Sequence, residues 1–478
     1  MASGRKRAQR IGGDFKHAEL GDERLNKRAV ALVEQLAKQP GLPLPAAMGS
    51  TAALEAAYRF MNNGAVGIQR LLESHRDAVA ERARATASGE VLVIHDTTTC
   101  QFGHLDASDI GYLQTGRAGF YLHLSLVIDS GLWRRPLGVV HAETIHRAKR
   151  SRRGGRALQQ SGSETAKWHD RESLRWNRGV TTTAEALRGV ASVIHVADRE
   201  SDSYQLLAHM LSLGQRFVVR VRHDRRARPP GDEEWGTLRA VVEGMRGRMT
   251  RSVPLSRRAR KTAPRANQAN PPREARTAQL IFSAGQVEIP RPRYLAGPEV
   301  VTLNVVHVVE ENPPPGEEPV EWLLYTTEPV RTKDDIARVV DIYRTRWVIE
   351  EFNKALKTGC LYEERGFESR HALLTMLALS LPIASELLWM RSRARTEPDA
   401  PASNILSAQQ LLLLRHLRAE LPAHPTARQV LLAIAGLGGH QKSNGEPGWL
   451  VLQRGLSKLQ SCEAGWELAK SAERAAKK

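Results

Sequence analysis

Apolar residues recur at helical spacing through the first ninety residues. In "GDERLNKRAVALVEQLAKQPG" they fall at Leu25, Ala29, Leu32, Val33 and Leu36, and Pro40-Gly41 ends the pattern. "TAALEAAYRFMNN" and "VGIQRLLESHRDAVAERARA" predict two further helices. The pattern changes at "EVLVIHDTTTC", where Val91 to Ile94 form a short continuous apolar run, the mark of a strand covered on both faces. "GFYLHLSLVID" and "RRPLGVVHAETI", joined through "SGLW", read as antiparallel neighbours. "ASVIHVADRESD" repeats the buried-strand pattern, and a helix is predicted from Gln205 to Leu213. From "RFVVRVRHD" to "EWLLYTTEPV" the chain alternates strands and loops. After Pro329 it turns helical to its end, with "RTEPDAPASN" as a linker. No internal repeat is visible.

Charge changes this picture. Against 52 Asp and Glu stand 70 Lys and Arg, a formal net charge of +18. A field of that sign attracts polyanions, nucleic acid above all. A membrane surface is the rival, yet the longest uncharged apolar run, Leu373 to Ser385, is too short to span a bilayer and contains Pro382. The basic N-terminus leads into no apolar segment of the signal-peptide kind. Cys100, Cys360 and Cys462 form no C-x-x-C pair. These features predict a cytoplasmic, soluble, nucleic-acid-binding protein. Two basic stretches stand out: 147–178, and the Pro-containing 257–276, which reads as a flexible loop.

"YRTRWVIEEFNKALK" carries the densest candidate chemistry. At about 100° per residue, Tyr343, Arg346, Glu350, Lys354 and Lys357 share an arc of roughly 80°, beside an apolar arc holding Ile342, Val348, Ile349, Phe352 and Leu356. Such a face is either solvated or catalytic. Glu351 points roughly 100° away from Glu350, where it is expected to form at most a surface ion pair. Asp96 and Asp198 each follow an apolar strand run, the place where ligands gather in sheets with parallel strands. An Asp there is more often a turn former or cap. Two of them with Glu350 would suit hard divalent cations and in-line phosphoryl displacement. His95, His123 and His195 read as core histidines, and Cys100 with His104 lacks partners for zinc. No phosphate-binding loop of the P-loop type occurs, so no nucleotide cofactor is expected.

"HDTTT", "ADRESD" and "YRTRWVIEEFNKALKTG" resemble the three acidic motifs of the DDE transposases, and more narrowly those of the insertion-sequence-four group. The signature Tyr-x2-Arg-x3-Glu-x6-Lys stands here as Tyr343, Arg346, Glu350 and Lys357. "LGDERLNKRAV", "AAYRFMNN", "RFVVR" and "EWLLYTTEPV" follow in the expected order, so the likeness spans most of the chain. It is weakest in the basic loop 257–276 and after Arg395.

The resemblance implies an α/β fold with a ribonuclease-H-like catalytic core and a β-rich insert, flanked by an all-α N-terminal domain and a helical C-terminal module. The implied boundaries are 1–85 for end binding, 86–368 for catalysis with the insert at about 215–330, and 369–478 for a dimerising module. Asp96, Asp198 and Glu350 would hold two Mg²⁺ ions per site, with Mn²⁺ able to substitute. Lys354 and Lys357 would grip phosphates, with Tyr343, Arg346 and Arg220 nearby. Trp322, on its own a plain strand tryptophan, would become the platform for an extruded base. Arg24, Lys27 and Arg28, otherwise a solvated face, would contact transposon-end DNA. The implied activity is cut-and-paste transposition: terminal-repeat binding, hydrolysis to a 3′ hydroxyl, a hairpin intermediate, and joining to target DNA within a homodimeric synapse. Two other readings stay open, a catalytically silent DNA-binding regulator of the same fold and a nuclease that stops at hydrolysis.

Overall fold

A computed structural model describes residues 3–131, 134–148, 172–255, 257–258, 272–441, 443 and 445–476. Leu132 and Trp133 of the joining "SGLW" and most of both basic stretches, 147–178 and 257–276, therefore lie outside the described residues. The chain forms two compact units, residues 1–192 with 347–478, and residues 193–346.

The first unit opens with helices Ser3–Gly13, Glu23–Lys38, Leu44–Met48, Thr51–Met61 and Ile68–Arg84. Asp22 caps the second by accepting from Arg24 N at 2.8 Å, and Ser50 caps the fourth by accepting from Ala53 N. Ala29, Leu32, Val33 and Leu36 are buried, as the spacing predicts. Strands β1 (Glu90–Gln101), β2 (Gly119–Asp129) and β3 (Pro136–Ile145) pair antiparallel in the order β3-β2-β1. A buried network ties the helices to β3. Asp14 takes hydrogen bonds from His75 Nδ1 and Arg82, each at 2.7 Å, while Val139 N donates to His75 Nε2 at 3.3 Å. Burial works to raise the Asp14 pKa, but the bonds from His75 and Arg82 outweigh it and hold the carboxyl below its usual range. Gly138 in β3 has φ of +139°, and a Cβ there would lie 2.4 Å from Val79 Cγ2. Only glycine lets that strand approach the Ile68–Arg84 helix so closely.

The same unit contains the C-terminal helices Arg370–Thr396, Ala408–Leu417, Ala427–Leu437 and Trp449–Ala476. Arg370–Thr396 is long and apolar enough to cross a membrane by length and composition, but 83% of its most apolar window is buried inside the protein. It is a core helix that packs against β3 and against the helices Glu23–Lys38, Thr51–Met61, Ile68–Arg84 and Ala427–Leu437.

In the second unit β4 (Ser192–Ala197) and β5 (Arg216–Arg220) are parallel, joined through helix Tyr204–Ser212. Two-residue strands β6 (Arg226–Ala227) and β7 (Gly236–Thr237) form a small ribbon. Long strands β8 (Gly247–Leu255), β9 (Arg276–Pro290) and β10 (Val300–Glu311) and the shorter β11 (Glu321–Thr326) pair antiparallel, giving the order β4-β5-β11-β10-β9-β8. Helix Lys333–Arg344 then starts from a capping box of Thr332 and Asp335.

Two local expectations change. β1 does not end at Asp96 but continues to Gln101. The β-branched Thr97, Thr98 and Thr99 favour the pleated conformation and stay paired with β2. The second concerns the helix from Tyr343 to Lys357. It is broken into Lys333–Arg344, a 3-10 turn Thr345–Trp347, an α-helix Val348–Lys354 and a π-helical turn Ala355–Gly359. A 3-10 turn has 3.0 residues rather than 3.6, so a single regular wheel does not describe the five charged and aromatic positions.

Candidate active site

In the first unit Asp96 sits in mid-strand, opposite Leu124 of β2. Its carboxylate Oδ2 accepts from Asn353 Nδ2 at 3.1 Å. That bond fixes the Val348–Lys354 helix against β1, and Glu350 lies one turn before Asn353 on the same helix. Asn353 is 9% exposed, and its Oδ1 is buried without a hydrogen-bond partner among the described residues. An Asn in a helix interior reads from sequence as an indifferent residue. Neither its contact, 257 positions away in the chain, nor its burial could be anticipated.

The neighbouring threonines are held firmly. Thr97 Oγ1 lies 3.0 Å from His123 Nδ1 and accepts from Arg175 Nε at 2.9 Å. His95 and His123 are fully buried and stacked, their rings 6.2 Å apart. Ser125 Oγ is 2.9 Å from His95 Nδ1. Burial, with His141 and Arg175 close by, pushes the His123 pKa well below the ordinary imidazole value. Gly179 lets the Arg175–Ala186 helix reach this stack, since a Cβ there would lie 3.0 Å from His123 Nε2.

Lys357 donates to Thr98 Oγ1 at 2.9 Å and to the Thr99 carbonyl, and its ammonium stands 3.7 Å from Glu363. It is thus anchored on β1. Lys354 pairs with Glu351 at 2.9 Å and is half exposed. Glu351 also accepts from Arg391 and, at 3.0 Å, from Trp449 Nε1. Its side chain is only 15% exposed. The expectation of a surface ion pair is therefore corrected: Glu351 turns away from Glu350, but into the helical packing. Trp347, at the start of the same helix, is 56% exposed, which apolar patterning does not foretell for a tryptophan.

In the second unit Asp198 follows β4 directly and caps a 3-10 turn by accepting from Glu200 N at 2.9 Å. Asp202, four residues on, is buried and accepts from Arg222 N at 2.7 Å, His223 N at 2.8 Å and Arg225 at 2.7 Å. It locks the Asp198 turn to the end of β5, a role the second Asp of "ADRESD" did not advertise. Trp322 is half-buried rather than a core residue, with its ring edge-on to Tyr343 at 5.4 Å. Arg220 donates to the Glu321 carbonyl at 3.2 Å. Burial raises the Tyr343 hydroxyl pKa, against the pull of Arg220 and Arg346, and Asp198 adds to the rise. Asp198, Arg220, Trp322, Tyr343 and Arg346 thus form one neighbourhood. Buried His195 contacts Gln215 at 3.1 Å.

Among the described residues no three His, Cys, Asp or Glu side chains converge as a ready-made metal cage. The donor set around Asp96 nevertheless suits a hard divalent ion: it offers carboxylate oxygens and one buried amide oxygen with an unmet acceptor. On the exposed face of Glu23–Lys38, Lys27 pairs with Glu23 at 2.7 Å. Arg24 and Arg28 are exposed and form no ion pair among the described residues.

Residues 11–66 match the family model of transposase DNA-binding domains, and residues 140–382 match that of the transposase DDE domain. The second match covers just over half of the 478 residues, and the chain belongs to the DDE transposase family. It is a DNA-binding transposase of mixed α/β architecture, an enzyme of DNA cleavage and strand transfer, in a family whose domains use divalent metal ions. Arg24, Lys27 and Arg28 fall within the first match, Asp198 and Glu350 within the second. Asp96 precedes it.

Proposed function

We propose that this transposase is a cut-and-paste enzyme of the insertion-sequence-four group, closest to the Tn-five transposase, with Asp96, Asp198 and Glu350 as its metal-holding carboxylates. The observation that carries this reading is the Asn353–Asp96 bond, which brings the Glu350 helix onto the strand of the first acidic motif. Asp198 and Glu350 lying inside the DDE match adds to it. When bound, divalent ions such as Mg²⁺ supply an activated oxygen nucleophile and charge stabilisation for the leaving oxygen. The chain's own part is to orient. Asn353 holds Asp96, Asp202 holds the turn that presents Asp198, and the Trp449 and Arg391 contacts of Glu351 hold the helix that presents Glu350. Trp322 with Tyr343 offers an aromatic platform, and Arg220 and Arg346 bring cations beside it for a phosphate.

The reading assigns residues 1–85 to end recognition, 86–368 to a ribonuclease-H-like catalytic domain with its insert at about 215–330, and 369–478 to dimerisation. The place of action is the bacterial cytoplasm, on nucleoid DNA. The decisive test is incubation with the element's own terminal repeats and Mg²⁺. The expected products are a double-strand excision with hairpinned ends, followed by strand transfer. Asp198→Ala should bind the repeats and cut nothing. Cleavage by that variant at wild-type rate would sink the assignment.

A further inference from the structure

Asn353 is a buried amide beside the first acidic motif that keeps one acceptor unmet among the described residues. It is 9% exposed, on the same helical face as Glu350, with one end of its amide on Asp96 Oδ2 at 3.1 Å and the other end unmet. Burying an acceptor without a partner costs about 1–3 kcal/mol, so packing alone would favour an apolar residue of the same size. An aspartate at 353 would set a like charge against Asp96. An amide avoids the like charge and donates to the carboxylate, but it leaves its own Oδ1 unmet.

We propose that Asn353 is a positioning residue for divalent-ion capture. Its Nδ2 fixes the orientation of the Asp96 carboxylate that would receive the cation, and its buried Oδ1 keeps the amide free of any competing charge there. The inference rests on the reading of Asp96 as a metal-holding carboxylate. Residues that orient a ligand in this way commonly alter metal affinity by about 10–100-fold when lost, whereas loss of the ligand itself removes the site.

The test is Mn²⁺ binding to the full-length protein, followed by the paramagnetic resonance of free Mn²⁺, alongside Mn²⁺-dependent nicking of terminal-repeat DNA. Asn353→Leu is expected to raise half-saturating Mn²⁺ about 10-fold or more. Nicking should recover at high Mn²⁺, because the carboxylate itself is intact, and repeat binding should stay at the wild-type value with cooperative unfolding retained. If Asn353→Leu folds poorly, Asn353→Ser serves instead, a polar side chain too short to span to Asp96. An unchanged Mn²⁺ half-saturation in a folded Asn353 variant, while Asp96→Ala loses Mn²⁺ binding, overturns the role of Asn353 alone. Wild-type Mn²⁺ binding by Asp96→Ala overturns the reading of Asp96, and the inference with it.

Discussion

Single residues in this enzyme are distinguished by what surrounds them more than by their type. Trp322 and His195 both lie on strands of the second unit, yet one faces partial solvent and the other is 1% exposed. Half-burial with an edge-on Tyr343 leaves part of the Trp322 ring open to stack on a base. Trp322→Ala is therefore expected to leave the first nick intact and to lower hairpin yield roughly 5- to 150-fold, since such stacking contributes about 1–3 kcal/mol. Gel analysis of end products on terminal-repeat DNA checks this, and normal hairpin yield would return Trp322 to a packing role. His195 makes a different prediction. Burial lowers its pKa to about 4 from the ordinary 6.5, partly offset by the bond to Gln215. The unfolded chain then takes up a proton first as pH falls. Its stability contribution is complete above pH 6.5 and is lost progressively toward pH 4, by at most about 1.4 kcal/mol per pH unit. Urea unfolding at several pH values in that window should show a shallower acid decline for His195→Gln than for the wild type.

At the scale of elements, the segment around Glu350 shows what patterning captures and what it misses. Continuous apolar runs located β1, β4 and their neighbours, because burial on both faces leaves no other composition. The motif spacing placed Glu350 and Lys357 on helical turns. Periodicity is insensitive to one or two residues of over- or underwinding, so the 3-10 and π turns on either side of Val348–Lys354 left no trace in it. Nor could it give Glu351 its partners, since Arg391 and Trp449 lie 40 and 98 residues further on. Those partners change the expected outcome of mutation. An exposed pair contributes about 0–1 kcal/mol, but removing one charge from a largely buried pair costs several. Glu351→Gln keeps an oxygen for Trp449 and should destabilise by roughly 1–3 kcal/mol, with the folded fraction still nicking DNA. Thermal unfolding beside nicking per folded molecule measures both. A Glu351→Gln protein that melts like the wild type but is inactive would mean that the carboxylate acts in catalysis.

Across the whole molecule, the net charge of +18 guarantees attraction to DNA without saying where the transposon end binds. Deleting the first forty residues is a poor way to ask. It would remove the buried Leu32, Val33 and Leu36, break the Asp14–His75–Arg82 network, and strip the Pro40 carbonyl from Arg365. Lost binding would then report lost folding. The exposed face of Glu23–Lys38 offers a cleaner probe. Lys27 is already neutralised by Glu23 in part, whereas Arg24 and Arg28 are exposed cations inside the DNA-binding match, with no ion pair among the described residues. Each phosphate contact contributes about 0.9 to the slope of log affinity against log salt on duplex DNA. Arg24→Ala with Arg28→Ala should therefore lower that slope by about 1–2 on the terminal repeat, with the unfolding midpoint unmoved because neither side chain is buried. If either arginine reads a base edge, the affinity ratio of repeat to random duplex falls as well. If both contact phosphates alone, the ratio holds while both affinities drop. A salt slope unchanged from wild type would remove this face from the DNA interface and direct the search to cations elsewhere on the chain.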